Sequence, residues 1–127
     1  MHKGYLVTAA CIGALSVALG AFGAHALKEI VTEQSLGTYE TAVRYQFYHV
    51  FALALVGVLY KSHPNKFVKT SGGLFIAGII LFSGSLYLLT FASANNLSLS
   101  WAGPLTPLGG LMLIIGWICL AIGIRKG

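Results

Sequence analysis

Four apolar runs, at residues 5–27, 41–60, 70–94 and 107–124, take up most of this chain of 127 residues. At about 1.5 Å of rise per residue, each would cover roughly 27–37 Å as a helix, matching a hydrocarbon core of about 30 Å. No other feature constrains the fold as tightly. A segment in lipid must satisfy its own backbone amides and carbonyls, and a run of this length does so as an α-helix. Composition agrees: 57% of residues are hydrophobic and 9% are charged, against about 25% charged in ordinary soluble domains. A water-soluble fold of this size would have too few charges to cover its apolar surface. The expected architecture is a single all-α domain over residues 1–127, an integral membrane four-helix bundle.

The connectors set boundaries and orientation. In "KEIVTEQSLG" (28–37), Ile30 and Val31 follow Leu27 at helical spacing, which suits a turn lying on the membrane surface. Gly37 is expected to break that turn. Thr38 is then the predicted N-cap of the second span, with Glu40 in its first turn. "KSHPNK" (61–66) is a polar turn around Pro64, with His63 solvated there and His2 solvated at the chain start. "NNLSLSWAGPLTP" (95–107) is a longer loop, with Trp101 suited to headgroups and Pro107 to the first turn of the last helix. Lys3, Lys61, Lys66, Lys69, Arg125 and Lys126 fall at one end of the spans. Only Lys28 and Arg44 fall at the other, beside Glu29, Glu33 and Glu40. Positive charge accumulates on the cytoplasmic side, so both termini are expected there, in a multi-pass protein of the cell membrane, the bacterial plasma membrane being favoured. A competing reading takes Ala24-His25-Ala26 as a signal-peptide cleavage site. Against it, the apolar run from Leu6 exceeds the usual h-region of about 7–15 residues.

The net charge of +5 invites a nucleic-acid reading, but the basic residues cap apolar runs instead of forming a face interleaved with aromatics. No nucleic-acid partner is expected. Cys11 and Cys119 lie inside apolar runs without metal-ligand spacing and read as small buried hydrophobes. Neither a metal nor a cofactor is expected.

Small residues mark the faces where membrane helices approach closely. Gly13, Gly20 and Gly23 share a stripe on the first helix. Gly109, Gly116 and Gly123 recur every seven residues on the fourth, and Gly73, Ala77 and Gly84 follow a similar track on the third. On the second helix, at about 100° per residue with Thr41 at zero, Arg44 falls near 300°, Tyr48 near 340°, Tyr45 near 40°, His49 near 80° and Gln46 near 140°. This broad polar arc is expected to face the bundle, with Glu40 and Arg44 paired at i,i+4. His25, Ser83, Ser85 and Thr106 fall in the same half of the other helices. One polar cluster is therefore predicted in the outer half of the bundle: His25, Arg44, Tyr45, Gln46, Tyr48, His49, Ser83, Ser85 and Thr106.

The stretches "GAFGAHAL" (20–27), "YQFYH" (45–49), "FSGSLY" (82–87), "LTPLGG" (105–110) and "GW" (116–117) resemble the signature segments of a small membrane-protein family. It is catalogued as domain of unknown function 423 and includes animal transmembrane protein 256. The resemblance covers nearly the whole chain and implies a four-helix integral membrane protein. It implies no reaction.

The leading functional reading is a structural or accessory membrane subunit whose polar cluster fixes helix packing. Membrane lipids are its expected partners, and its glycine stripes would suit a homo-oligomer or a larger membrane complex. The alternative is lipid, quinone or small-metabolite binding, extending to transport, at the same cluster. A bis-histidine haem needs two histidines at matched depth, whereas His25 sits near a helix end and His49 about two turns into its span. An enzyme finds little support: there is no nucleophile elbow, metalloprotease helix or phosphate loop, and the three carboxylates sit within one stretch of twelve residues.

Overall fold

The computed structural model describes residues 1–127. Four helices carry the chain: α1 (Lys3–His25), α2 (Glu33–Leu59), α3 (Lys66–Ala94) and α4 (Leu105–Lys126). Single 3-10 turns at Leu27–Glu29 and Ser100–Ala102 punctuate the first and third connectors. All four helices are long and apolar enough to cross a membrane, and the fold is the all-α four-helix membrane bundle expected.

Two helix starts differ from the sequence reading, and capping chemistry explains both. α2 begins at Glu33 because Thr32 caps it, its hydroxyl accepting the Ser35 amide at 3.1 Å. Gly37 does not break the helix, and Thr38 bonds back to the Gln34 carbonyl instead of capping. A glycine inside a helix costs about 1 kcal/mol. Here the turns on either side are anchored: Ser35 bonds Ser93 of α3 at 2.7 Å, and buried Tyr39 reaches the Leu19 carbonyl of α1. α3 begins at Lys66 because Asn65 accepts the amides of Phe67 and Val68, both at 3.1 Å, while its own amide donates to the Gly123 carbonyl at 2.9 Å. One side chain thus caps the start of α3 and holds the end of α4. At the far end of α3, Asn96 takes a left-handed φ of 54°, and Leu97 bonds the Ala92 carbonyl at 2.7 Å. That reversal closes the helix with its last carbonyls satisfied.

The helices pack in chain order. α1 lies along α2, α2 along α3 and α3 along α4, and α1 does not pack along α4. The tightest seam is α3 against α4. A Cβ built on Gly109 would collide with the backbone of Leu81 and Phe82, so only glycine permits this approach. Gly23, Gly116 and Gly123 also lie under close neighbours: the Tyr39 ring, the Phe75 ring and Val68. Gly13 and Gly20 sit at ordinary contact distance from Val50 and Val43, and Gly84 has open space. On α3 the close approaches belong to Gly72, under Tyr5, and Gly78, under Leu113. The packed track is therefore offset from Gly73–Ala77–Gly84.

An apolar core of Ala52, Val56, Val68, Phe75, Leu113 and Leu120 fills the half of the bundle nearer the chain termini. His2 is drawn into that end. It is half-buried, stacks on Tyr5 at 3.8 Å and accepts the Tyr5 amide through Nδ1, so it caps α1 instead of standing in solvent. His63 is likewise half-buried and bonds Ser62 at 2.8 Å. The cysteines depart from expectation too: Cys11 is exposed and Cys119 only half-buried. A bilayer accepts a small thiol on a lipid-facing surface as readily as a protein core does.

Candidate functional site

The distal half, away from the termini, holds polar side chains that bond across helix seams, to one another or to a backbone carbonyl. The Tyr87 hydroxyl donates to Gln46 Oε1 at 2.6 Å, joining α3 to α2. Ser83 donates to the Ala42 carbonyl at 2.7 Å across the same seam. Ser85 shares a hydrogen bond with Thr106, joining α3 to α4, and also donates to the Phe82 carbonyl. No buried side-chain nitrogen or oxygen lacks a partner. In hydrocarbon an unsatisfied polar group costs several kcal/mol, and each side chain of this set has at least one partner within the protein.

A second feature is open. α2 and α4 stand on either side of α3, leaving a groove of about 570 Å³ between them. Tyr45, Tyr48 and His49 come from α2, Phe82 from α3, and Gly110, Leu113, Ile114 and Trp117 from α4. Tyr48, Ile114 and Trp117 are exposed walls, and His49 is buried behind them. The rings interlock, with Tyr45 centred 4.9 Å from Phe82 and 5.6 Å from Tyr48, and Phe75 5.1 Å from Trp117.

His49 has no free nitrogen. Trp117 Nε1 donates to its Nε2 at 3.0 Å, and its Nδ1 lies 2.7 Å from the Tyr45 carbonyl. Indole can only donate. Nε2 must therefore be the unprotonated acceptor, and Nδ1 carries the proton that the carbonyl takes. A doubly protonated ring would point N–H at N–H. The imidazole is thus held as one neutral tautomer, with no nitrogen left for an iron or another metal. His25, exposed at the last turn of α1, belongs to neither assembly.

The predicted cluster therefore divides. Gln46, Ser83, Ser85 and Thr106 join the hydrogen-bonded set. Tyr45, Tyr48 and His49 line the groove, while Arg44 and His25 are exposed. The polar arc on α2 spanned about 200°, more than neighbouring helices cover. The buried face of α2 runs through Ala42, Gln46, His49, Leu53 and Val56, which centres near 100° on the same wheel. Arg44 lies on the far side, where its long side chain can carry the cation toward headgroups. Sequence reasoning passed over Tyr39, Phe82 and Trp117. A signal for Trp117 existed. Tryptophan favours the membrane interface, yet Trp117 lies 9 residues before the end of α4, and His49 lies 10 before the end of α2 (126 − 117 and 59 − 49). The two helices run the same way, so a donor and an acceptor meet at one depth.

Comparison with known proteins agrees with this architecture. Residues 19–110 match the family described as "Protein of unknown function (DUF423)". A UPF0382 membrane protein of Haemophilus influenzae is 42% identical over 99% of this chain and 97% of its own length. A UPF0382 membrane protein of Staphylococcus aureus is 40% identical over 98% and 97%, and one of Bacillus subtilis is 39% identical over 98% of each. No solved structure matches. Four apolar helices joined by these motifs, and relatives that align end to end, place the chain in the DUF423 family of small multi-pass membrane proteins.

Proposed function

We propose that this protein is an accessory component of the bacterial plasma membrane, a four-helix unit that acts through the surfaces it presents in the bilayer. One observation carries the reading: the buried polar side chains of the distal half find their partners inside the protein, in one another and in backbone carbonyls. Such bonds fix helix register, each contributing about 0.6 kcal/mol on average and up to about 1.7. They hold a shape, and the shape is what a partner meets. The flanking helices α1 and α4 bury the least of themselves within the chain, so they supply the contact area, to a second copy or to a larger complex. Charge supports an orientation with both termini cytoplasmic, since Lys and Arg gather at that end and the glutamates at the other.

Native mass spectrometry of tagged full-length protein, ejected from its own membrane, tests this. A defined assembly of fixed stoichiometry is expected, and it should survive mild detergent. A monomer carrying only bulk lipid under the same conditions overturns the accessory reading.

A further inference from the structure

We propose that the groove between α2 and α4 binds a lipid-soluble ring compound of the quinone class, held by the hydroxyls of Tyr45 and Tyr48. This goes beyond the accessory role and stands or falls separately.

The polar groups of the groove are the starting point. The hydroxyls of Tyr5, Tyr39 and Tyr87 each donate to an acceptor inside the protein. Those of Tyr45 and Tyr48 make no such bond, although both rings line the groove. Tyr48 lies 11 residues, and Tyr45 14 residues, from the end of α2 at Leu59 (59 − 48 and 59 − 45). At about 1.5 Å per residue they stand about 16 and 21 Å from that end, inside a hydrocarbon layer of about 30 Å. Two donors at that depth call for acceptors that arrive through the bilayer.

Depth and lining then select the ligand. Neither a cation nor a carboxylate lines the groove, so a phosphate headgroup has no counter-charge there. A bare acyl chain would leave both hydroxyls unpaired. Haem is disfavoured because both nitrogens of His49 are engaged. A flat ring with carbonyl oxygens meets every condition. Its faces lie against Tyr45, Phe82 and Trp117, and its carbonyls accept from the two phenols. Gly110 leaves the α4 wall low enough for a ring to enter: a Cβ there would reach only the Phe82 ring at 3.6 Å. The volume of about 570 Å³ falls in the ordinary range for small-molecule sites, about 300–1,000 Å³. The opening faces lipid, which leaves room for an isoprenoid tail.

Trp117 is a built-in reporter. In a Trp101→Phe background, the full chain in phosphatidylcholine nanodiscs is titrated with decylubiquinone while Trp117 fluorescence is followed. Saturable quenching is expected. Tyr45→Phe with Tyr48→Phe keeps both rings and removes both donors, and should weaken binding about tenfold or more. Gly110→Leu should abolish saturation, while Gly110→Ala should retain it. Non-saturating quenching in the parent protein overturns the proposal, as does unchanged affinity in the double phenylalanine variant. If tetradecane displaces the quinone as well as a second benzoquinone does, the groove is a simple acyl slot and the proposal is overturned too. Should the double variant fail to fold, the Gly110→Leu and Gly110→Ala pair decides.

Discussion

His49 shows how one residue's chemistry is set by its neighbours. Alone in lipid, an imidazole would be an expensive group. Between the Trp117 indole and the Tyr45 carbonyl it is a satisfied wedge joining α2 to α4. Trp117→Phe keeps an aromatic ring but strands Nε2. It is expected to destabilise the protein by about 1–3 kcal/mol, read as a lower midpoint in detergent-mediated unfolding. The Gln46–Tyr87 bond supports a double-mutant cycle with Gln46→Leu and Tyr87→Phe, whose coupling should fall near 0.6–1.7 kcal/mol. A coupling of zero would remove that pair from the set that locks the helices. At this scale the sequence was only partly readable. Polarity in "RYQFYHV" (44–50) announced a site but not its division. Gln46 and His49 turn into the bundle, while Tyr45 and Tyr48 edge a groove. The division depends on which arc of α2 its neighbours cover, and that is fixed by the helices beside it.

Helices, by contrast, announce themselves through length, because lipid demands about twenty apolar residues whatever the tertiary context. Their ends were harder to read. The start of α2 depends on Thr32 as cap and on Ser35 and Tyr39 finding partners on α3 and α1, contacts that no local pattern around Gly37 reveals. Thr32→Ala should therefore loosen the first turns of α2, with a penalty of about 1 kcal/mol and faster amide exchange confined to residues 33–38. Glycine spacing on α4 pointed to a packed face, yet the same argument on α3 chose the neighbouring track. Spacing identifies candidates, and only the opposing surface distinguishes Gly78 from Gly84. The α3–α4 seam makes a direct test. Gly109→Leu should split it, with loss of folded protein in detergent extracts, because its clash is with backbone that cannot rotate away. Gly84→Ala, with open space above it, should not lower the unfolding midpoint, since the added methyl meets nothing and alanine favours the helix.

For the whole molecule, charge placement argues for cytoplasmic termini, and cysteine labelling tests it. In a background with Cys11 and Cys119 changed to alanine, Ser62→Cys should react with an impermeant maleimide only after the membrane is opened. Ser98→Cys should react in intact cells. Both positions are exposed, and the reverse pattern would invert the topology. Class and span number were legible because the bilayer imposes them. The order in which helices pack was not, since the glycine stripes say that faces meet without saying which. That order carries a consequence for biosynthesis. Each major seam joins helices consecutive in the chain: α1 with α2, α2 with α3, α3 with α4. As each span after the first leaves the insertion machinery, the helix before it, along which it packs, is already in the membrane. No helix must wait in lipid for a distant mate, and no finished seam must reopen to admit a later one. The protein can zip itself together in the order the ribosome delivers it, with α4 pressing Gly109 against α3 as the closing step.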